Sequence, residues 1–405
     1  MGTKETSRIV ATTIGMMILG LSAANAQDKP PIKIGFANAQ SGFMAAYDIP
    51  STNAALLAIE QLNEKGGLLG RKIEAVQRDM KTDAALSAKT GAELAGEGVD
   101  LIVTTSDYDL GGPAALAAKA RGVIAFAPGA ADPKMGVQGV GWQTFTANGA
   151  AQVEGIIMAE WAFKKKGFKT AYVLQDDLLE YNKSGCAGFR AAWTNLAGEK
   201  GIVGRDNFMN SDPSIAVQIS RIKATKPAPD AIYMCTLPPG GASAIRQIRA
   251  AGIQTPILAN VGMTDDYWIS ATPDLSNFYN PTMMSIFGDD PSPKVQEFVA
   301  AYTKKYGTRV PQAYASVGYL VIQEWSTAVK RANTTEAKAV VAELEKFRDE
   351  DLLLGPTTFT SELHIQTHRP LLVMEVQDGK HHSIERYRNE MIPDMDLLFR
   401  VGKYQ

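Results

Sequence analysis

Asp100-Leu-Ile-Val-Thr-Thr105 opens a run that passes through Gly111-Gly112 and an Ala-rich helical stretch to Gly122 and a new apolar strand. Asp230-Ala-Ile-Tyr-Met-Cys235 opens a second run, through Gly240-Gly241 and Ala242 to Ala251, to Gly252 and another apolar strand. Each spans 22 positions from Asp to Gly, and the two begin 130 residues apart. An apolar run, a small-residue loop, a helix and a second apolar run make a β-loop-α-β unit, the building block of parallel sheets. Two such units with equal spacing predict two domains of similar topology. Open sheets bind ligands beyond the carboxyl ends of their strands, so two facing domains predict a cleft.

The same alternation fills the chain. Ile32 to Ala37 is the first predicted strand. After a loop of small residues, a helix from about Ser51 carries apolar residues at Ala55, Ile59 and Leu62 and stops at Gly66-Gly67. Further strands are predicted at Lys72 to Gln77, Leu101 to Thr104, Val123 to Ala127, Ala171 to Gln175, Ile202 to Phe208, Ala231 to Cys235 and Pro256 to Ala259. Pro370 to Val376 reads as a late strand, and Asp378-Gly379-Lys380 as the turn of a hairpin returning at His381-His382.

A chain of 405 residues predicts two domains at roughly 100–200 residues each, or one large α/β unit. With 45% hydrophobic and 21% charged residues it matches globular averages, which excludes disorder and a bundle of membrane helices. Lys+Arg total 41 and Asp+Glu 43, so no positive excess supports nucleic-acid binding. A small-molecule ligand fits better. Residues 1–26 read as a cleaved signal peptide: Lys4 and Arg8 precede the apolar stretch Ile9 to Leu21, and Ala24-Asn25-Ala26 is a small-x-small cleavage site. The expected mature chain starts at Gln27, with 39 basic and 42 acidic residues once Lys4, Glu5 and Arg8 are removed. Gln27 is not a cysteine, so no lipid anchor is indicated, and the periplasm is the expected destination. Cys186 and Cys235 are then either one bridge or two buried thiols.

Catalytic signatures are missing from the sequence. No G-x-S-x-G elbow or G-x-x-x-x-G-K-[ST] loop occurs, and Gly136-x-x-Gly139-x-Gly141 neither follows a predicted strand nor opens a helix. His364 and His368 stand four apart, but no Glu follows His364 and the next run is a strand, so they read as surface histidines. Asp176-Asp177 at a strand end point opposite ways and read as solvated or helix-capping. No catalytic residue, metal site or cofactor is expected. What stands out is three strand-end loops: Ser41-Gly42-Phe43-Met44-Ala45-Ala46-Tyr47, Ser106-Asp107-Tyr108, and Ala127-Pro128-Gly129-Ala130-Ala131-Asp132. Such loops offer backbone N–H groups to an anion and aromatic rings to an apolar ligand body.

At these residues the chain resembles the branched-chain amino-acid (Leu/Ile/Val-binding-like) type of periplasmic binding protein, the type I solute-binding fold that feeds ABC importers. The resemblance is carried by Ile34-Gly35-Phe36 leading to Ser41-Gly42, by Ala58-Ile59, and by Asn63-Glu64-Lys65-Gly66-Gly67-Leu68-Leu69-Gly70-Arg71. It continues through Ala127-Pro128, Asp132-Pro133, Phe145-Thr146, Tyr181, the strand at Ala231, Pro256-Ile257 and Tyr314-Ala315. It implies two Rossmann-like α/β lobes joined by a three-segment hinge, with residues 27–147 and 281–356 in the first lobe and 148–280 and 357–405 in the second. A ligand would sit between the lobes and be enclosed by hinge closure.

Carried over by position, Ser41, Phe43, Tyr47, Tyr108, Gly129, Ala130 and Ala131 are expected on the first lobe's side, and Tyr181, Asn260 and Tyr279 on the second's. Amino-acid binders of this family commonly offer a Ser after the third strand, a hydroxyl after the fourth, and a second-lobe acid for the ammonium group. Here Tyr108, Ala131 and Phe278-Tyr279-Asn280 stand at those places, with Asp107, Asp109 and Asp265 open as alternative sources of charge. The expectation is a carboxylate ligand with an aromatic or apolar body, bound by a monomer that serves an ABC permease and ATPase complex at the inner membrane. The alternatives are a branched-chain amino acid or amide as ligand, or a ligand-sensing input to a separate membrane receptor.

Overall fold

The computed structural model describes residues 1–2 and 29–404; the signal peptide and its cleavage site lie outside the described residues. Five parallel strands form the first sheet: β1 (Ile32–Asn38), β2 (Ile73–Asp79), β3 (Leu101–Thr104), β4 (Ile124–Ala127) and β5 (Thr144–Thr146), in the order β2-β1-β3-β4-β5. The second sheet holds β6 (Ala171–Asp176), β7 (Ile202–Phe208), β8 (Ala231–Cys235), β9 (Ile257–Ala259) and β10 (Phe278–Thr282), in the order β7-β6-β8-β9-β10. The two orders are identical. A small ribbon, β11 (Glu350–Leu352) with β12 (Gly355–Thr357), precedes β13 (Leu371–Gln377) and β14 (Lys380–Tyr387), which extend the second sheet antiparallel beyond β10.

Helices connect the parallel strands: α1 (Ala45–Glu64), α2 (Ala84–Gly96) and α3 (Tyr108–Ala120) in the first lobe, and α4 (Ala151–Trp161), α5 (Glu180–Ala197), α6 (Ala216–Ala224) and α7 (Gly240–Ala250) in the second. Two later helices, α8 (Pro293–Tyr306) and α9 (Ala315–Ala332), pack back on α1. The predicted start of α1 was about Ser51; the helix begins at Ala45 and keeps Pro50 inside it.

The two Asp-to-Gly segments occupy equivalent places, and each Asp has the same task. Asp100 Oδ2 accepts the Lys33 N–H at the start of β1, and Asp230 Oδ2 accepts the Lys169 and Thr170 N–H groups at the start of β6. At the other end Gly122 (φ 71°) and Gly252 (φ 81°) supply the left-handed backbone that turns α3 and α7 toward the next strand. The repeat in the sequence is therefore a repeat of strand-edge capping and helix termination.

The chain leaves the first sheet after β5, returns after β10 and crosses again after β12. Arg369 ties two of these crossings. Its guanidinium donates to the Ala147 carbonyl and to Thr357 Oγ1, each at 2.7 Å, and pairs with Glu324 of α9 at 3.5 Å, all buried. Cys186 of α5 and Cys235 of β8 form a disulfide, with Cα atoms 5.6 Å apart, which decides the question that sequence leaves open.

That bridge closes a loop with a sequence separation of 49 residues. In the chain-entropy account a loop of this size is worth about 4 kcal/mol. Replacing both cysteines by serine should lower the unfolding free energy by about that much in denaturant titrations, and a loss below about 1 kcal/mol would show that the crosslink contributes little.

Candidate functional site

The carboxyl ends of the two sheets face a narrow cavity lined by residues of both lobes. Met44 and Tyr47 come from the start of α1, Ser106 and Asp107 from the loop after β3, and Gly129 and Ala131 from the loop after β4. Leu179 and Tyr181 follow β6, Leu237 follows β8, and Gly262 follows β9; Tyr314, just before α9, completes the lining. No Lys, Arg or His is among them.

Local folding places each group. Asp48, buried in α1, accepts the Ala39 N–H (2.8 Å), the Ser106 N–H (2.9 Å) and the Thr105 hydroxyl (2.5 Å), locking the β3 loop onto the β1 loop. Ser106 Oγ is buried and has no hydrogen-bond partner among the described residues, and none of the Gly129, Ala130 and Ala131 N–H groups donates to a protein acceptor there. Only a glycine fits at 129: a Cβ would lie 2.7 Å from the Tyr314 ring and 2.8 Å from Ser106 Cβ. The Tyr314 and Tyr47 rings meet edge-on at 5.0 Å.

In the second wall, Tyr181 donates to Glu154 Oε2 at 2.7 Å and accepts the Gly262 N–H at 2.8 Å; the Val261 N–H joins the same Glu154 oxygen at 3.0 Å. Behind β6 and β8, Asp176 accepts Asn210 Nδ2 and the Thr236 hydroxyl. Asp176 is thus buried rather than solvated, and it braces the strand ends.

The lobes touch on both flanks of the cavity. On one side Lys134 pairs with Glu180 at 2.9 Å, the Glu180 N–H donates to Asp109, and the Ser184 hydroxyl donates to Asp132. On the other, Arg309 Nη2 donates to both Asp266 carboxylate oxygens, at 2.7 and 2.8 Å, and Asp265 accepts the Ala313 N–H. Tyr267 donates to the Tyr47 hydroxyl, which donates to the Gly262 carbonyl.

Of the ten positions expected from the sequence, Tyr47, Gly129, Ala131 and Tyr181 line the cavity. Ala130 and Asn260 are buried next to it; the Ala130 carbonyl accepts from Thr146, and Asn260 Oδ1 from the Thr236 N–H. The other four lie outside. Ser41 donates to Asp79 at an exposed edge, and Phe43 is 39% exposed. Tyr108 begins α3, its ring 5.9 Å from Lys134 Nζ. Tyr279 packs on Trp161, with Lys166 Nζ over its ring, because β10 runs beside β9 and turns that face away from the cleft. The serine of the β3 loop is therefore Ser106, two residues before Tyr108. Glu154, which clasps the second wall from α4, is not singled out by the sequence, because the same helix also carries Gln152 and Glu160.

One of the two histidines read as surface residues differs: His364 is buried, stacked on Phe145 at 3.7 Å and hydrogen-bonded to the Thr144 carbonyl and Glu345, whereas His368 is exposed; His381 lies at the start of the return strand β14, as expected, and stacks on Phe287.

Burial dominates the electrostatics. It pushes Asp48 up to about 6, Asp107 to about 7, and Glu154, Asp265 and Glu324 to about 8, since hydrogen bonds and, for Glu324, Arg369 only partly offset the lost hydration. A carboxyl raised on folding holds protons that the unfolded chain releases. Its contribution is present at low pH and is lost as pH rises through the folded value. Between pH 7 and 9, above the histidine range, the unfolding free energy should fall as pH rises, by about 1.4 kcal/mol per pH unit for each acid still protonated. Denaturant titrations at pH 7, 8 and 9 check this; a rising or flat profile would contradict the burial of these acids.

A family model described as periplasmic binding protein matches residues 31–380. Leu/Ile/Val-binding protein homolog 1 of Brucella melitensis biotype 1 is 22% identical over 334 residues, covering 81% of this chain and 86% of the relative. The solved substrate binding protein LivJ from Streptococcus pneumoniae in complex with isoleucine superposes with a TM-score of 0.78 at 24% identity, covering 88% of this chain and 99% of that one. A solute binding protein of an ABC transporter from R. palustris in complex with benzoate gives 0.75 at 19% identity, covering 90% and 98%. The two structural likenesses establish the fold, and the match of the family model across most of the chain establishes kinship: this chain belongs to the periplasmic binding protein family and is a solute-binding protein of the ABC-transporter type.

Proposed function

We propose that the chain captures a small carboxylate with an apolar or aromatic body between its lobes and presents it, unchanged, to an ABC permease and ATPase complex at the inner membrane. It acts as a periplasmic monomer after removal of residues 1–26, with lobes bounded as 27–147 plus 281–356 and 148–280 plus 357–405. The observation that carries the ligand class is the polar corner at Ser106 and Gly129 to Ala131. There a buried hydroxyl and backbone N–H groups without protein acceptors meet a cavity otherwise lined by Tyr, Leu, Met, Gly262 and Asp107, whose carboxyl is pushed up by burial to about 7. Such a corner binds a carboxylate without a cationic side chain. The relatives' named ligands, isoleucine and benzoate, share that chemistry: one carboxylate on an apolar body.

A thermal-shift panel of benzoates, phenylpropanoids and short-chain carboxylates beside leucine, isoleucine, valine and simple amides, followed by calorimetry, tests the class. Hits should carry a carboxylate; amides binding as tightly as the matching acids would sink the reading. Ser106→Ala should weaken the best hit by roughly 10- to 100-fold, the worth of a hydrogen bond to a charged group, while Tyr108→Phe should leave it within about threefold. Mass spectrometry before and after incubation should find the ligand unaltered.

Because ligand meets both walls only when the lobes close, it favours the closed state by its differential affinity. Small-angle scattering should give a smaller radius of gyration with a saturating hit than without. An open apo protein whose radius does not change would count against closure.

A further inference from the structure

Asp107 is the one carboxyl among the described residues that line the cleft cavity. It follows Ser106, whose unpartnered hydroxyl belongs to the same lining, and it caps α3, its Oδ1 accepting the Leu110 N–H at 3.0 Å. The cap commits one carboxyl oxygen and fixes the direction of the other. Among the described residues no side chain donates to either oxygen; besides Leu110, only the Asp109 N–H favours the ionised form.

The charges around this acid are of its own sign. Asp109 stands two residues on in α3 and Asp132 in the loop after β4, while Tyr314, also in the cavity lining, is a phenol. The cations of this flank, Lys134 and Lys183, both pair with Glu180, at 2.9 and 2.7 Å. Burial first, and Asp109 and Asp132 after it, raise the Asp107 carboxyl to about 7.

The corner assigned to the ligand's carboxylate, Ser106 with Gly129 to Ala131, adjoins this acid. A Cβ at Gly129 would stand 2.8 Å from Ser106 Cβ, and Asp107 is the next residue in the chain. Two carboxylates that share a water-poor space with no cation between them cannot both stay ionised. A free carboxylate ligand has an ordinary value of about 4, far below that of Asp107, so the proton belongs on Asp107.

We propose that Asp107 is a specificity residue for anionic solutes: on capture of a carboxylate it takes up a proton and, as a neutral acid, donates it in a hydrogen bond to the ligand. An O–H bond forms on the oxygen that does not cap α3, the proton comes from the buffer acid in solution, and the ligand remains an anion. Oδ1 still accepts the Leu110 N–H, so the cap survives. This rests on the carboxylate reading above and adds the protonation state in which the site accepts that group.

The test is calorimetry of the purified chain with benzoate and with 4-methylpentanoate, in buffers of different ionisation enthalpy. At pH 8 each should bind with uptake of about one proton, and at pH 6 with almost none. Affinity should be level below about pH 7 and fall nearly tenfold per pH unit above it. Asp107→Asn keeps an oxygen for the Leu110 N–H and presents an amide N–H where the acid presents its O–H. It should abolish proton uptake, flatten the pH profile and bind benzoate at pH 9 roughly 10- to 100-fold more tightly than the unmodified chain. Asp107→Ser, which also caps a helix, carries the same loss of uptake should the first variant not fold. Benzoate bound at pH 8 without proton uptake overturns the proposal and leaves the carboxylate reading standing. Uptake that persists in Asp107→Asn, or weaker benzoate binding by that variant at pH 9, overturns it as well. If neither carboxylate binds at any pH from 6 to 9, the carboxylate reading and the proposal fall together.

Discussion

Parallel strands cannot be joined by a tight turn; each must be followed by a crossover that returns the chain to the same end of the sheet. Every loop that follows a strand of this kind therefore opens on one edge, and all the cavity's lining residues except Tyr314 lie on such loops or on the first turn of the helix that follows. Because both sheets use the same strand order, the two edges are alike, and the hinge sets them face to face. Single buried carboxyls then fix the detail: Asp48 holds the β1 and β3 loops together in the first lobe, and Glu154 holds α4, α5 and the loop after β9 in the second.

The sequence shows most of this scaffold because burial on both faces leaves continuous apolar runs, and because Asp100 and Asp230 mark the starts of equivalent strands. What it hides is non-local. β5 is three residues long, and β10 contains Pro281 and reads as a crossing; it is a strand because it pairs with β13, far along the chain. The loops that build the site are also legible, but which residue in a loop faces inward is not. Ser106 and Tyr108 differ by the first turn of α3, and the Asp48 clasp, made from the first turn of α1, holds Ser106 at the cavity. Asp176 and His364 are misread for a common reason: a polar residue is taken as exposed unless its partners are known, and those partners come from distant segments.

The contacts between the lobes divide by character. The flank at Lys134, Glu180 and Arg309, Asp266 is ionic and partly exposed, so each pair is weak and screened by salt. The centre is aromatic and hydrogen-bonded, with Tyr47, Tyr267 and the Gly262 carbonyl linked across the cleft. The ionic flank orients approach, while the centre sets what fits. Arg369 lies behind both, binding the first and third crossings to each other.

The disulfide joins α5, which carries Tyr181, to the end of β8, which leads into Leu237, and both residues belong to the cavity wall. A covalent tie of this kind depends on the redox state of the surroundings. In a reducing interior the two wall elements would be joined only by packing; in an oxidising space the tie closes around residues that sequester it from reductants, since both sulfur-bearing side chains are fully buried. Whether the two wall elements are joined covalently or by packing alone is thus set by the redox state in which the chain folds.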